Sequence, residues 1–286
     1  MEIIIGKYSG MCQGVKNALK QAYQVLEENE NVYCLGEFVH NSQVVLKLEN
    51  KGMATIDDIT KVPNYSNIIF RTHGVSKQIY ERAERKGLKV FDLTCPNVKS
   101  VQDKIIKEQK RSFIVIIGKS DHPEIVSYKS FAGENSLVVD AEDEIDDVIE
   151  EFKKSGKSLV YIVSQTTFNS ERFDELAGEL REELKDIAQA VMVDKTICRA
   201  TENRQEECKQ IASMVGAMVI IGGKNSSNTN KLYDIASNAC KKVFFAQTKK
   251  DLRKLDFEGI ERVGIMAGAS TPDEDVEEIK EFLEKI

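Results

Sequence analysis

Short apolar, β-branched runs alternate with amphipathic stretches along almost the whole chain, and no other feature limits its fold as tightly. EIII, VYCL, NIIF, KVFDL, FIVII, LVV, LVYIV, AVMVD, MVII, VFFA and RVGIM read as strands. Between them, residues 15–28, 76–86, 98–110, 171–185, 201–215 and 273–286 place apolar side chains every three or four positions, as helices do. The alternation predicts an α/β protein with largely parallel sheets, because parallel neighbours need a long crossover that is usually helical. In such sheets ligands bind beyond the carboxyl ends of the strands, so the residues just after each strand are the ones to inspect.

Those residues repeat. Cys12, Cys95 and Cys198 each follow a strand and precede a long helix, in GMCQGV, LTCPNV and TICRAT. His40, His122 and Ser226 lie 28, 27 and 28 residues beyond them, and His73, Thr166 and Ser270 lie 61, 71 and 72 residues beyond them. The chain thus divides into three α/β units: 13–95, 96–195, and 1–12 together with 196–286. A repeat of roughly 80 to 100 residues is too long for a solenoid. The expected architecture is therefore trefoil-like, with three pseudo-repeated units around a central cavity and the three cysteines and six polar loop residues converging there.

The 286 residues, 41% of them hydrophobic, suffice for a large core. The net charge of −7, with both signs mixed along the chain, offers no basic stripe, so nucleic acid is not an expected partner. No apolar run approaches the ~20 residues of a membrane span, and the first residues do not read as an export signal, which points to the cytoplasm and to no membrane partner. Six cysteines in such a chain read as thiols, ligands or core residues, and no Cys-x-x-Cys pair signals a zinc ribbon or a redox dithiol.

Cys34, Cys208 and Cys240 have no repeat partners and read as packing residues. Cys12, Cys95 and Cys198 sit at strand-to-helix turns, where helix N-terminal N–H groups favour the thiolate that metal binding needs. Three thiolates suit a 4Fe-4S cluster with one open iron, whereas electron-transfer clusters take four. All three histidines in the chain, His40, His73 and His122, occur in strand-end loops and are suited to donating hydrogen bonds to phosphate. The run 222–230, GGKNSSNTN, opens a helix in the manner of an anion site, although its Ser and Asn residues would also serve as ordinary caps. Glu124, two residues past His122, is the carboxylate placed to supply a proton if burial raises its pKa.

Taken in order, GMCQGV, EFVHN, RTHGVS, DLTCPNV, DHPE, SQTT, ICRATENRQ, GGKNSSNTNKL and AGASTPD resemble the LytB family of 4-hydroxy-3-methylbut-2-enyl diphosphate reductases over essentially the entire chain. The resemblance implies that Cys12, Cys95 and Cys198 bind a 4Fe-4S cluster, and that His40, His73, Ser226, Ser227, Asn228 and Ser270 surround the diphosphate of the substrate. It implies further that His122 and Thr166 complete the pocket, with Glu124 the proton donor and Thr166 its link to the substrate hydroxyl. The implied reaction is a two-electron reductive dehydroxylation to isopentenyl and dimethylallyl diphosphates, the last step of the methylerythritol phosphate route, with ferredoxin or flavodoxin as electron donor. Met11, Asp121 and Arg199 depart from the family pattern, and Asp121 adds a charge to the loop of Glu124. Three cysteines and an open iron also suit a dehydratase of the aconitase kind, and a cluster or zinc ion could serve a sensor that catalyses nothing.

Overall fold

Every predicted run becomes a strand because β-branched residues pack on a pleated surface, and one strand the pattern does not signal joins them. The structure, a computed structural model, describes residues 1–286. The strands are β1 (Glu2–Ile5), β2 (Val32–Leu35), β3 (Met53–Ile56), β4 (Asn67–Phe70), β5 (Lys89–Asp92), β6 (Ser112–Ile117), β7 (Ser136–Val139), β8 (Leu159–Ser164), β9 (Ala190–Val193), β10 (Ala217–Ile221), β11 (Val243–Ala246) and β12 (Arg262–Ala267). The helices are α1 (Gln13–Glu28), α2 (Ser42–Glu49), α3 (Lys77–Arg85), α4 (Pro96–Glu108), α5 (Pro123–Ala132), α6 (Ile145–Ser155), α7 (Ser170–Leu184), α8 (Arg199–Ala212), α9 (Ser227–Ala239) and α10 (Asp273–Leu283). None of them is long and apolar enough to cross a membrane.

The strands form three four-stranded sheets, in orders β3-β2-β4-β5, β7-β6-β8-β9 and β1-β12-β10-β11. All pairings are parallel, as the α/β pattern requires. The orders are one topology used three times: the first strand of each set lies between the second and third, and the fourth lies outside the third. In the last set the fourth place is taken by β1, from the start of the chain, which pairs with β12 in the register Glu2↔Arg262 to Ile5↔Ile265.

The chain forms two compact units. One comprises residues 1–20, 39–50 and 199–286 and holds the sheet of β1, β12, β10 and β11. The two faces of that sheet carry separate cores, Val219, Ile221, Val263 and Ile265 facing Leu252, Phe257 and Ile279 on one side, and Met218, Ile220 and Met266 facing Cys208, Ile211 and Leu232 on the other. The second unit comprises residues 21–38 and 51–198 and holds the other two sheets. In it β6 is buried over all six residues, with Phe113, Val115 and Ile117 in one core and Ile114 and Ile116 in the other, so the run is apolar without alternation.

Candidate active site

Parallel topology decides where the chemistry-bearing residues fall. Cys12, Cys95 and Cys198 follow β1, β5 and β9, the fourth strand of each set; His40, His122 and Ser226 follow β2, β6 and β10, the first; and His73, Thr166 and Ser270 follow β4, β8 and β12, the third. Every one of them therefore stands past a carboxyl strand end, where parallel sheets place ligands.

In the larger unit, Glu124 lies in the first turn of α5, 1% exposed. Its Oε1 accepts hydrogen bonds from the Thr166 N–H at 2.5 Å and from the Tyr128 hydroxyl at 2.8 Å, and its Oε2 pairs with Thr166 Oγ1 at 2.9 Å. Burial raises the carboxyl pKa above its ordinary value, opposed by these hydrogen bonds from Thr166 and Tyr128. Asp121 is exposed, and no charge figures among the causes of the shift. Burial, with the neighbouring Glu124 charge next, holds the Tyr128 phenol well above its ordinary value, so it is always a donor.

His122 caps α5: its Nδ1 accepts the Glu124 N–H at 3.2 Å. An accepting Nδ1 leaves Nε2 as the protonated nitrogen, so this imidazole presents an N–H without carrying charge. The His73 ring meets the His122 ring edge to face, with centroids 5.6 Å apart. The turn at His73 needs Gly74, whose φ of +74° suits glycine and where a Cβ would lie 2.6 Å from Gln102 Nε2. Gln102, on α4, donates to Ser127 Oγ on α5 at 2.8 Å, and Ser127 donates to the Val75 carbonyl at 2.9 Å. Helices leading from Cys95 and His122 thus both grip the loop of His73.

Cys95 and Cys198 are half-buried, and each is tied by its own N–H to a neighbouring strand-end loop, Cys95 to the Thr72 carbonyl and Cys198 to the Thr166 carbonyl, both at 2.9 Å. The Cys198 sulfur accepts a hydrogen bond from Asn97 Nδ2 at 2.9 Å. Cys34 and Cys208 are different: both are buried, and burial pushes their thiols up to about 12, where no thiolate is available to a metal.

In the other unit, Cys12 is half-buried, and its sulfur receives the Val15 N–H at 3.5 Å. Its loop is held from α8, where buried Arg204 donates to the Tyr8 and Gly10 carbonyls at 2.8 and 2.9 Å and Glu207 accepts the Lys7 and Tyr8 N–H groups at 2.7 and 2.8 Å. Ser226 caps α9 through the Thr229 N–H, and Ser227 stands half-exposed in the first turn of the helix. Asn228 is 4% exposed, yet neither its Oδ1 nor its Nδ2 has a hydrogen-bond partner. An amide buried without partners is costly, and both its donor and its acceptor are available to a ligand. Ser270 donates to the His40 carbonyl at 3.3 Å, and Gly223 lies against that same carbonyl, where a Cβ would be 2.4 Å away. The loop of His40 is therefore packed between the α9 loop and the loop after β12.

Sequence reasoning missed Tyr128, Asn97 and Arg204. Tyr128 had a readable signal, its i+4 spacing from Glu124 on a helix. Asn97 and Arg204 had none, since their partners stand 101 and nearly 200 positions away.

A buried carboxyl paired with a hydroxyl, and half-buried thiols, stand past the strand ends of parallel sheets, where α/β enzymes place their chemistry. The family model described as LytB protein matches residues 3–284. The chain is 36% identical over 288 residues to 4-hydroxy-3-methylbut-2-enyl diphosphate reductase of Clostridioides difficile, covering all of both chains, and 38% identical over 291 residues to that of Aquifex aeolicus, covering 100% and 97%. Among solved structures, it matches an (E)-4-hydroxy-3-methyl-but-2-enyl diphosphate reductase with a TM-score of 0.71 at 36% identity over all of both chains. It matches the E-1-hydroxy-2-methyl-but-2-enyl-4-diphosphate reductase of Plasmodium falciparum with a TM-score of 0.90 at 26% identity, covering 99% and 87%. The chain belongs to the LytB family, that of the 4-hydroxy-3-methylbut-2-enyl diphosphate reductases, and is an oxidoreductase.

Proposed function

We propose that the chain converts 4-hydroxy-3-methylbut-2-enyl diphosphate to isopentenyl and dimethylallyl diphosphates by two-electron, two-proton reductive dehydroxylation, the last step of the methylerythritol phosphate route. The observation that carries this reading is the Glu124–Thr166 pair. A hydroxyl leaves readily only as water, and a buried carboxyl with a raised pKa in contact with a second hydroxyl is a proton source for that departure. Glu124 holds the proton on the Thr166 side, and Thr166 Oγ1 passes it to the departing oxygen. His40, His73, Ser226, Ser227, Asn228 and Ser270 bind the diphosphate, with His122 supplying a further donor from Nε2. Neutral donors and the N-terminus of α9 suit an anion in a chain of net charge −7.

Cys12, Cys95 and Cys198 hold a 4Fe-4S cluster in this reading. The residues fit the group: they are half-buried thiols, and two of the three sulfurs receive N–H donors of the kind cluster thiolates take. The cluster supplies electrons and, at the iron without a cysteine, a Lewis acid. Ferredoxin or flavodoxin is the proposed electron donor, and the reducing cytoplasm the compartment that suits six free thiols.

Anaerobic purification tests the proposal. Brown protein with about four iron and four sulfide per chain is expected, with turnover that requires a reductant. Cys12→Ser, Cys95→Ser and Cys198→Ser each lose iron, whereas Cys34→Ser keeps it. Colourless protein holding zinc, or consumption of the hydroxylated diphosphate with no electron donor, refutes the reading.

A further inference from the structure

We infer that Tyr128 is a positioning residue: its hydroxyl, by occupying Glu124 Oε1, confines the carboxyl proton to Oε2, the oxygen facing Thr166. The inference rests on the acid role proposed for Glu124 and adds a direction to it. A carboxyl oxygen has two in-plane lone pairs. On Oε1 both are engaged, one by the Thr166 N–H and one by the Tyr128 hydroxyl at 2.8 Å. An amide cannot reverse its donation, and the phenol is fully buried with Glu124 as the one acceptor it reaches. A proton on Oε1 would displace one of these donors and leave it buried and unpaired, which is costly. Oε2 has a single partner, Thr166 Oγ1 at 2.9 Å, and a hydroxyl can turn from donor to acceptor. The protonated acid therefore takes one form, C=O at Oε1 and O–H at Oε2, with the acidic hydrogen aimed at Thr166. In this step the Oε2–H bond breaks as an O–H bond forms at Thr166 Oγ1, whose original hydrogen passes to the departing substrate oxygen, leaving Glu124 as the carboxylate.

Position explains how one tyrosine does this. Tyr128 stands one helical turn beyond Glu124 on α5, where i,i+4 side chains meet. Its ring is locked in the core with Ile114, Ile116, Ile125 and Val163. The hydroxyl is thus held by packing from both sheet and helix, and the carboxyl cannot turn away from it.

Infrared spectroscopy of the purified chain reads the proton's position without any turnover. The C=O stretch of protonated Glu124, identified by its loss in Glu124→Gln, is expected at low frequency because its carbonyl oxygen accepts two hydrogen bonds. In Tyr128→Phe the band moves to higher frequency. With fluorotyrosine, whose hydroxyl is a stronger donor and which preserves packing, it moves lower; this arm stands even if Tyr128→Phe folds poorly. Turnover of 4-hydroxy-3-methylbut-2-enyl diphosphate by Tyr128→Phe falls about tenfold in kcat, a fraction of a full general-acid effect, with unchanged KM and iron content. Adding Thr166→Val to it costs less than Thr166→Val costs alone. A band unmoved by both tyrosine replacements overturns the inference while leaving the acid role intact. Full activity in Glu124→Gln would instead overturn the acid role itself.

Discussion

A carboxyl 1% exposed and surrounded by three hydrogen bonds is either an expensive anion or a stored proton, and burial decides for the proton at low pH. Two consequences belong to Glu124 alone. In its proposed role as the acid it would work only while protonated, so kcat is expected to hold above the ordinary carboxylate value of 4.5 and to fall as pH rises through the raised pKa. Glu124→Gln keeps the shape but cannot give up a proton, and is expected to lose at least about 100-fold in kcat with iron and sulfide content unchanged. Loss of the iron as well would make Glu124 structural. The stability sign follows from the same shift: with the folded pKa raised, the contribution is complete below the unfolded value and is lost as pH rises through the folded one. Denaturation midpoints of the native chain should fall across that window relative to Glu124→Gln, whose neutral amide does not titrate. Parallel midpoints for the two proteins would contradict this. The buried carboxyl was legible in DHPE, because a proline-stiffened strand-end loop presents it; the tyrosine bonded to it was not, since a tyrosine one turn along a helix reads as core.

Helices here begin directly after Cys95 and Cys198, and their exact starts come from cap physics that periodicity does not register. Apolar spacing places the helix after Cys95 at 98, but α4 begins at Pro96, where a proline's missing N–H costs nothing and its fixed φ suits the first turn. The helix after Cys198 likewise starts at Arg199 instead of 201. Both shifts bring the cysteine directly against the helix N-terminus. β3 was invisible for another reason: MATI has only Met53 buried and lies at a sheet edge, where half the faces need not be apolar. The reach of α8 to the Cys12 loop was also hidden, and it carries a prediction. Arg204 is 3% exposed and holds the Tyr8 and Gly10 carbonyls together with that of Ala200 at 3.2 Å. Arg204→Met keeps much of the volume but leaves these carbonyls without their charged donor, and is expected to cost about 3 kcal/mol in urea denaturation. Amide exchange should accelerate first between Tyr8 and Cys12. Uniform acceleration over the whole of the unit would mean that Arg204 supports the core and not the loop.

At the scale of the molecule, the threefold repeat was legible because the strand ends mark it, with a cysteine after every fourth strand and a polar residue after every first and third, whereas the order of strands within each sheet was not. The return of β1 to complete the last sheet follows from the same count, since only the N-terminal strand precedes Cys12. What the pattern could not show is the state of the side chains, and Asn228 is the case that matters for global stability. Its buried amide has no partner, so the unliganded fold carries an unmet polar group. A ligand that binds only the folded chain stabilises it by RT ln(1 + [L]/Kd), about 2.7 kcal/mol at a hundredfold excess over Kd. Inorganic diphosphate should therefore raise the Tm of the native chain with a logarithmic dependence on concentration, whereas sulfate at equal ionic strength should do less. Asn228→Leu replaces the amide by an apolar group of similar size. Without ligand its Tm should equal or exceed that of the native chain, because an unsatisfied polar group is gone, and its response to diphosphate should vanish. A variant that is destabilised without ligand yet still shifts with diphosphate would show that the amide is a structural group whose partners lie within the protein, and that the anion is held elsewhere.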